Sequence, residues 1–321
     1  MAQSTVKTSQ PNGSIVCPPV ISFCAMKRFI AGCLCILAPI FGRAASTNEP
    51  AGTAPAESTA DTRHGLFNLL DSRSEYGQGV FPEPFLVDDS DLEPGEARVD
   101  WLHTQQPGHA RSDVVKGEVE KAFGVVTFEL EVPYEYDTAP GETTHGFNNI
   151  NFGARCPLYQ FVSSNEFVDS TFGIGIEAGI PTGSVFGKNA ELVPKIFNDL
   201  KIGDFTAQCV LGYSTLFGPG SEGDSQTFEY GFTFGYTIPY EHLCLPGVQE
   251  VIPVFELSGE TGLNNDTFGH NALLGNAGFR FNMKAIGRIQ PRPGVGFVFP
   301  IDSGARADTH WGVITSLVFQ F

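Results

Sequence analysis

From Glu96 to the end of the chain, hydrophobic residues alternate with polar or small ones in eleven segments. Clusters of Gly, Pro, Asn and Asp separate them, the pattern of successive β-strands and turns. The last segment is the most informative. One register reads Trp311, Val313, Thr315, Leu317, Phe319 and Phe321; the other reads His310, Gly312, Ile314, Ser316, Val318 and Gln320. This predicts a strand with one apolar, aromatic-ended face. A transmembrane β-barrel needs such a strand, because its outer face meets lipid and aromatic side chains settle at the water–lipid boundary. An edge strand of a soluble β-domain is the competing reading of this segment alone.

The other segments decide between the two. Val126, Phe128, Leu130, Val132 and Tyr134 lie opposite Thr127, Glu129, Glu131 and Glu135. Phe172, Ile174, Ile176, Ala178 and Ile180 lie opposite Gly173, Gly175, Glu177 and Gly179. Phe228, Tyr230, Phe232, Phe234, Tyr236 and Ile238 lie opposite Glu229, Gly231, Thr233, Gly235 and Thr237. Weaker alternation marks 97–101, 115–123, 150–158, 205–213, 255–257, 273–281 and 295–299. Soluble sheets also alternate. Here many segments have the length a tilted membrane strand requires. The apolar face is crowded with Phe and Tyr, and the opposite face is rich in Gly and Glu, a composition suited to a narrow wet lumen. The expected fold is all-β, a transmembrane antiparallel β-barrel with a short N-terminal extension or plug.

Bacterial barrels of one chain usually have an even number of strands. Eleven segments therefore predict about twelve strands, the missing one within Phe81–Leu92, or ten if Ala97–His103 does not cross the membrane. With a periplasmic C-terminus, counting back places Ser303–Asp308, Asn264–Asn271, Pro219–Ser225 and Ser163–Asp169 outside. Thr182–Lys201, with a short helix, would fall on the periplasmic side.

The start of the chain concerns targeting. Lys27 and Arg28 precede an apolar run from Phe29 to Phe41 and the small residues of Gly42-Arg-Ala-Ala-Ser46, the layout of a secretory signal. Either Met26 is the true start or Met1 begins a long basic region. The expected division is 1–46 upstream segment and signal peptide, 47–92 linker with a short helix or plug, and 93–321 barrel. Residues 47–63 have a linker composition, and His64–Arg73 reads as a short amphipathic helix. Cys17, Cys24, Cys33 and Cys35 lie in or before the signal, leaving Cys156, Cys209 and Cys244, too few and too widely spaced for a disulfide scaffold or zinc site.

The net charge of the whole sequence is −17. Residues 1–46 contribute four basic side chains (Lys7, Lys27, Arg28 and Arg43) and no acidic one, so the remainder carries a larger negative charge. That excludes nucleic acid as a natural partner. It is compatible with a barrel whose lumen and loops hold the charge.

Gly179-Ile-Pro-Thr-Gly183, Gly231-Phe-Thr-Phe-Gly235, Gly278-Phe-Arg-Phe281 and the closing Phe319-Gln-Phe321 together resemble the outer-membrane barrels of the phenol-degradation meta-pathway (MetA-pathway) family. The resemblance implies an outer-membrane protein that aids passage of small hydrophobic or aromatic compounds. It carries over no site residue.

Candidate chemistry lies in the inward register: Asp100, Glu118, Glu120, Glu129, Glu131, Glu177, Glu229, Glu256 and Glu260, with Arg98, Lys116, Arg155 and Arg280 among them. Opposed carboxylates and guanidinia can form a charge-selective constriction, or simply pair and hold a small barrel shut. A plug formed by His64–Val87 or a loose periplasmic extension are the alternatives for the N-terminal stretch. An outer-membrane lipid hydrolase would need a Ser–His constellation, but the seven histidines fall mostly at loops and strand ends and no GxSxG motif is present. No HExxH, Walker or EF-hand pattern calls for a metal or nucleotide, so no cofactor is expected. The expected partners are outer-membrane lipid, small hydrophobic or aromatic solutes, and the barrel-assembly machinery, with Phe319 and Phe321 as its recognition signal.

Overall fold

In the computed structural model, the described residues are 83–88, 90, 95–123, 126–163, 167–218, 226–239 and 245–321. The predicted signal, linker and short helix, and Cys244, lie outside them. Strands follow in the order β1 (Gly95–Gln105), β2 (Arg111–Phe123), β3 (Val126–Ala139), β4 (Glu142–Phe147), β5 (Ile150–Val162), β6 (Val168–Ile180) and β7 (Ala190–Ile202). Next come β8 (Phe205–Phe217), β9 (Gln226–Tyr236), β10 (Ile238–Pro239), β11 (Val248–Gly262), β12 (Asn271–Met283) and β13 (Gln290–Pro300). A short helix, α1 (Ser303–Asp308), precedes β14 (Trp311–Gln320).

Twelve of these strands form a closed antiparallel ring, in which each pairs with its neighbours along the chain. The ring closes where β14 pairs with β1, from Glu96 opposite Gln320 to Gln105 opposite Trp311. Closure leaves no strand edge with unpaired amides facing lipid, which an open sheet would expose at several kcal/mol per group. Two short strands lie off the ring. β4 folds back on the far half of β3 as a hairpin beyond the wall, so β3 meets β5 only over Thr127–Glu131. β10 extends the near end of β11.

The distribution of burial is inverted relative to a water-soluble protein. Val99, Val119, Phe128, Phe152, Ile174, Ile176, Phe279 and Phe297 are exposed on the outer face. Arg98, Asp100, Glu118, Glu120, Arg155, Glu256, Arg280 and Arg292 are buried within. Such an outer belt is stable in lipid, so the chain is a membrane-spanning barrel. Among the described residues no helix is long and apolar enough to cross; the strands, ten to fifteen residues each in the ring, do so.

Three expectations are corrected. The twelfth strand is β7, not a strand within Phe81–Leu92. Its sequence conceals it: Pro194 interrupts the run, Val193 and Phe197 are buried on the inner face, and Asn198 sits in the outer register. Second, Thr182–Lys201 is neither a turn nor helix-bearing, because most of it is β7. Third, adding a strand there reverses the end assigned to everything before it. The described ends of Ser163–Asp169, where β5 stops and β6 starts, lie at the C-terminal end of the barrel, opposite the end that carries 263–270 and 301–310.

Ile174 lies midway along β6 and is 44% exposed. Ile174→Arg is expected to lower the free energy of folding into lipid vesicles by about 2–4 kcal/mol in denaturant titrations. A change within error would contradict the lipid-facing assignment of that register.

Candidate functional site

The lumen is occupied by the chain itself. Residues 83–88 and 90, just ahead of β1, run across the interior. Phe85 and Val87 are 4% and 5% exposed, close to the values for the wall's own buried side chains. The wall is shaped to receive them. Phe85 packs with the inward side chains of Ile252, Val254, Val298 and Ile314. Val87 packs with Phe197 of β7 and Val210 of β8. A β-carbon added at Gly294 would come within 2.8 Å of the Phe85 ring, and one at Gly231 would collide with Val87. The glycines of the lumen face therefore make the space that the segment fills.

Polar groups hold the segment along its length. The Phe85 and Leu86 amides donate to the two oxygens of Glu256, at 2.6 and 3.2 Å. Asn276 donates to the same carboxylate at 2.7 Å. Arg280 donates through Nε to the Glu83 carbonyl and through Nη2 to the Pro84 carbonyl, both at 2.8 Å. Its guanidinium also lies 4.3 Å from the centre of the Phe85 ring. Arg98 donates to the Pro84 carbonyl at 2.6 Å and pairs with Asp100 at 2.6 Å. The Glu83 carboxylate pairs with Arg292 and lies 3.8 Å from Arg280. On the opposite wall Asp88 pairs with Lys195 at 2.5 Å, and Ser90 bonds Asp199 and Gln208. The segment thus spans from β11–β14 to β7–β8. Charges buried at this depth stay only when matched and hydrogen-bonded.

Beside it lies a second network, built by the wall alone. Arg155 joins Glu120 and Glu129, and Lys116 joins Glu118 at 3.1 Å and Glu131 at 2.8 Å. Glu118, Glu120 and Glu129 bring carboxylate oxygens within 4.8 Å of one another. Lys195 adds Glu177 to its pair with Asp88. The sequence-derived candidates therefore separate into groups. Glu118, Glu120, Glu129, Glu131 and Arg155 meet on β2, β3 and β5. Asp100, Glu256 and Arg280 gather around the segment. Glu177 joins it through Lys195. Glu229 lines the remaining open space. Phe319 pairs with Ala97 in the closing seam, and Phe321 ends the chain 50% exposed.

Above the segment, toward the end away from the C-terminus, is a cavity of about 390 Å3 lined by Val87, Asp88, Lys195, Glu229, Glu260 and Asp308. A second, smaller cavity of about 20 Å3 lies beside Ser90, Glu129 and Arg155. Helix α1 overhangs the larger cavity and is fixed by Asp302 at its N-cap. That carboxylate accepts from the amides of Ala305 and Leu273 and from Asn271, at 2.9, 3.1 and 2.6 Å. Partial burial raises the Asp302 carboxyl, but these donors outweigh it and hold it below the usual aspartate value.

Of the plug alternative His64–Val87, residues 64–82 lie outside the described residues and 83–87 lie in the lumen; sequence reading missed Asp88, Ser90, Lys195, Asp199, Gln208 and Arg292 as members of the site. A signal was present in the apolar residues of the otherwise polar inward register, Val210, Ile252, Val254, Val298 and Ile314. Lumen-facing hydrophobes in a wet barrel require an apolar occupant.

No protein-family model matches the sequence, and no curated protein matches it. Solved structures do resemble the fold. The crystal structure of an outer-membrane channel from Pseudomonas putida F1 aligns with a TM-score of 0.50 at 14% identity, over 76% of this chain and 100% of that one. The NanC porin aligns at 0.40 and 10% identity, over 71% and 98%. The KdgM porin aligns at 0.37 and 14% identity, over 70% and 99%.

Two outcomes follow. Gly294→Val should expel the Phe85 ring and destabilise the barrel by about 1–3 kcal/mol in denaturant titrations, with Phe85→Ala restoring most of the loss. Additive losses would show that the two positions do not touch. The lowered Asp302 carboxyl stabilises its loop above the unfolded aspartate value near pH 4, a contribution lost as pH falls through the folded value. Amide-exchange protection at Leu273 and Ala305 should be constant above about pH 5 and decline only below about pH 4; loss between pH 5 and 7 would contradict the assignment. A closed twelve-stranded ring, a lipid-facing belt and a polar lumen make this chain an integral membrane β-barrel, with a fold similar to that of the outer-membrane channel from Pseudomonas putida F1.

Proposed function

We propose that the barrel is a passive outer-membrane channel for small molecules, closed at rest by its own Glu83–Ser90 segment. The observation that carries this reading is the way the lumen is filled. A purely structural barrel of this size can be filled by the side chains of its own wall. Here the middle of the lumen is filled instead by a separate stretch of chain. Among the described residues that stretch forms no β-ladder with the wall and is held by side-chain hydrogen bonds, ion pairs and the apolar contacts of Phe85, Leu86 and Val87, which water and solute can replace one by one.

The solutes favoured are small and hydrophobic or aromatic. The wall keeps an apolar socket and a glycine-lined space where Phe85 sits, both of which suit an aromatic ring once the segment moves. The paired charges of Arg155, Lys116 and the four facing glutamates would then border the path and set its charge preference.

A second reading, a closed barrel with a structural or surface role, is favoured by that same network, since charges paired across a lumen hold it shut. Planar-bilayer recordings of the full chain separate the two. The channel reading expects brief, infrequent openings in the wild type. A Phe85→Ala, Val87→Ala double variant should raise the open fraction at least about tenfold, because each truncation removes about 2 kcal/mol or more of apolar burial from the closed state. Electrical silence in both proteins, at matched insertion into the bilayer, would rule out a water-filled pathway and leave the structural reading.

A further inference from the structure

The residues that hold Glu83 and Phe85 form a site with its own chemistry. Arg280 is fully buried, and its guanidinium serves the wall, the backbone of the segment and two of the segment's side chains at once. Nη1 donates to Ser316 of the wall at 2.9 Å. Nε and Nη2 are spent on carbonyls of the segment. Its face carries the Phe85 ring at 4.3 Å, and its edge lies 3.8 Å from the Glu83 carboxylate. Arg292, from the neighbouring strand, pairs with the same carboxylate while donating to Gln320 at 2.6 Å. A carboxylate and an aromatic ring thus rest against one guanidinium, the ring in a socket of Ile252, Val254, Val298 and Ile314 over Gly294.

When the segment withdraws, both halves of the site must find a new occupant. Water can hydrate the guanidinia but cannot satisfy the apolar socket. A neutral aromatic molecule fills the socket and leaves the two arginines without their carboxylate in a poorly hydrated interior. An aliphatic acid does the reverse. A molecule with a ring and a carboxylate joined by a few bonds supplies both, because the fork of arginine binds carboxylate oxygens directionally and its face accepts a ring.

We propose that the Glu83–Phe85 socket is a binding site for small aromatic carboxylates, which take the place of the segment in the lumen. This inference rests on the displaceable-segment reading and identifies its solute. The segment acts as an internal stand-in: the Glu83 carboxylate represents the anion and the Phe85 ring the arene.

The test uses the full chain carrying Glu83→Ala and Phe85→Ala, purified in detergent, with 3-phenylpropionate as the probe. Calorimetric titration compares it with 3-phenylpropanol and with propionate, each lacking one half of the recognised chemistry. The acid is expected to bind at least about tenfold more tightly than either, and about tenfold more tightly to the double variant than to the wild type, whose socket is filled. Adding Arg280→Lys should abolish most of the preference over the alcohol. Arg292→Gln makes the same test at a position that leaves the ring contact in place, should the first replacement fail to assemble. Equal affinities for acid and alcohol, or a preference that survives both arginine changes, would overturn the proposal. Conductance of the same double variant without ligand is recorded in parallel. Open channels with no preference for the acid would sink the carboxylate site and spare the channel. Selective binding by a barrel that never conducts would sink the channel and leave the binding site.

Discussion

A backbone amide facing hydrocarbon has no water to turn to, and the rest of this structure follows from that constraint. Every strand must be paired on both sides, so the sheet closes, with β14 against β1. Closure fixes two faces of opposite character. The outer face must be apolar, as in Ile174, Phe279 and Phe297. The inner face then encloses the chain's polar side chains in a narrow space. Charges confined there cannot be left unmatched, because desolvation costs several kcal/mol per ion.

The lumen meets that requirement in two ways. On the β2–β3–β5 side the wall supplies its own partners: Lys116 and Arg155 each bridge two of Glu118, Glu120, Glu129 and Glu131. On the β11–β14 side it does not. Arg280, Glu256 and the apolar side chains around them take their partners from residues 83–86. The ion pairs of β2, β3 and β5 are therefore made without the segment, whereas β11–β14, and β7–β8 through Lys195, Asp199 and Gln208, take partners from it.

How much of this could be read in the sequence differs by element. Alternation identified the strands whose two faces differ in polarity, such as β6 and β9, and the inward register it assigned contains the buried Glu118, Glu120, Glu256 and Arg280. It failed at β7, where Val193 and Phe197 are buried on the inner face and Phe197 packs with Val87 and Val210. A rule of apolar outside and polar inside cannot detect a strand whose inner neighbour is another piece of chain. The same missing neighbour explains the omission of Arg292 and Lys195. Their roles depend on Glu83 and Asp88, which are roughly a hundred or more residues away in sequence and carry no periodic signal of their own. The predicted upstream signal and linker lie outside the described residues, so the structure bears only on the last part of the N-terminal extension, where residues 83–88 and 90 are inside the lumen.

The tether sets the terms on which a solute could compete. Ser90 lies five positions before the first residue of β1, Gly95, so a displaced segment stays close to its socket. A short covalent connection gives an effective concentration on the order of millimolar. A solute therefore displaces the segment only if its concentration divided by its dissociation constant exceeds the same ratio for the segment. The segment binds through two carbonyls, two amides, one carboxylate and one ring; a small aromatic acid can reproduce only the last two. Its advantage must come from entropy, since a solute restores freedom to the residues it frees, worth about 1–2 kcal/mol for each backbone unit released. For a stretch as short as 83–86 that gain works against the five backbone hydrogen bonds forfeited, every one of them to a charged side chain. The strength of those bonds keeps the lumen sealed at rest, and a solute competes by adding its own differential affinity for the vacated socket to the freed chain entropy.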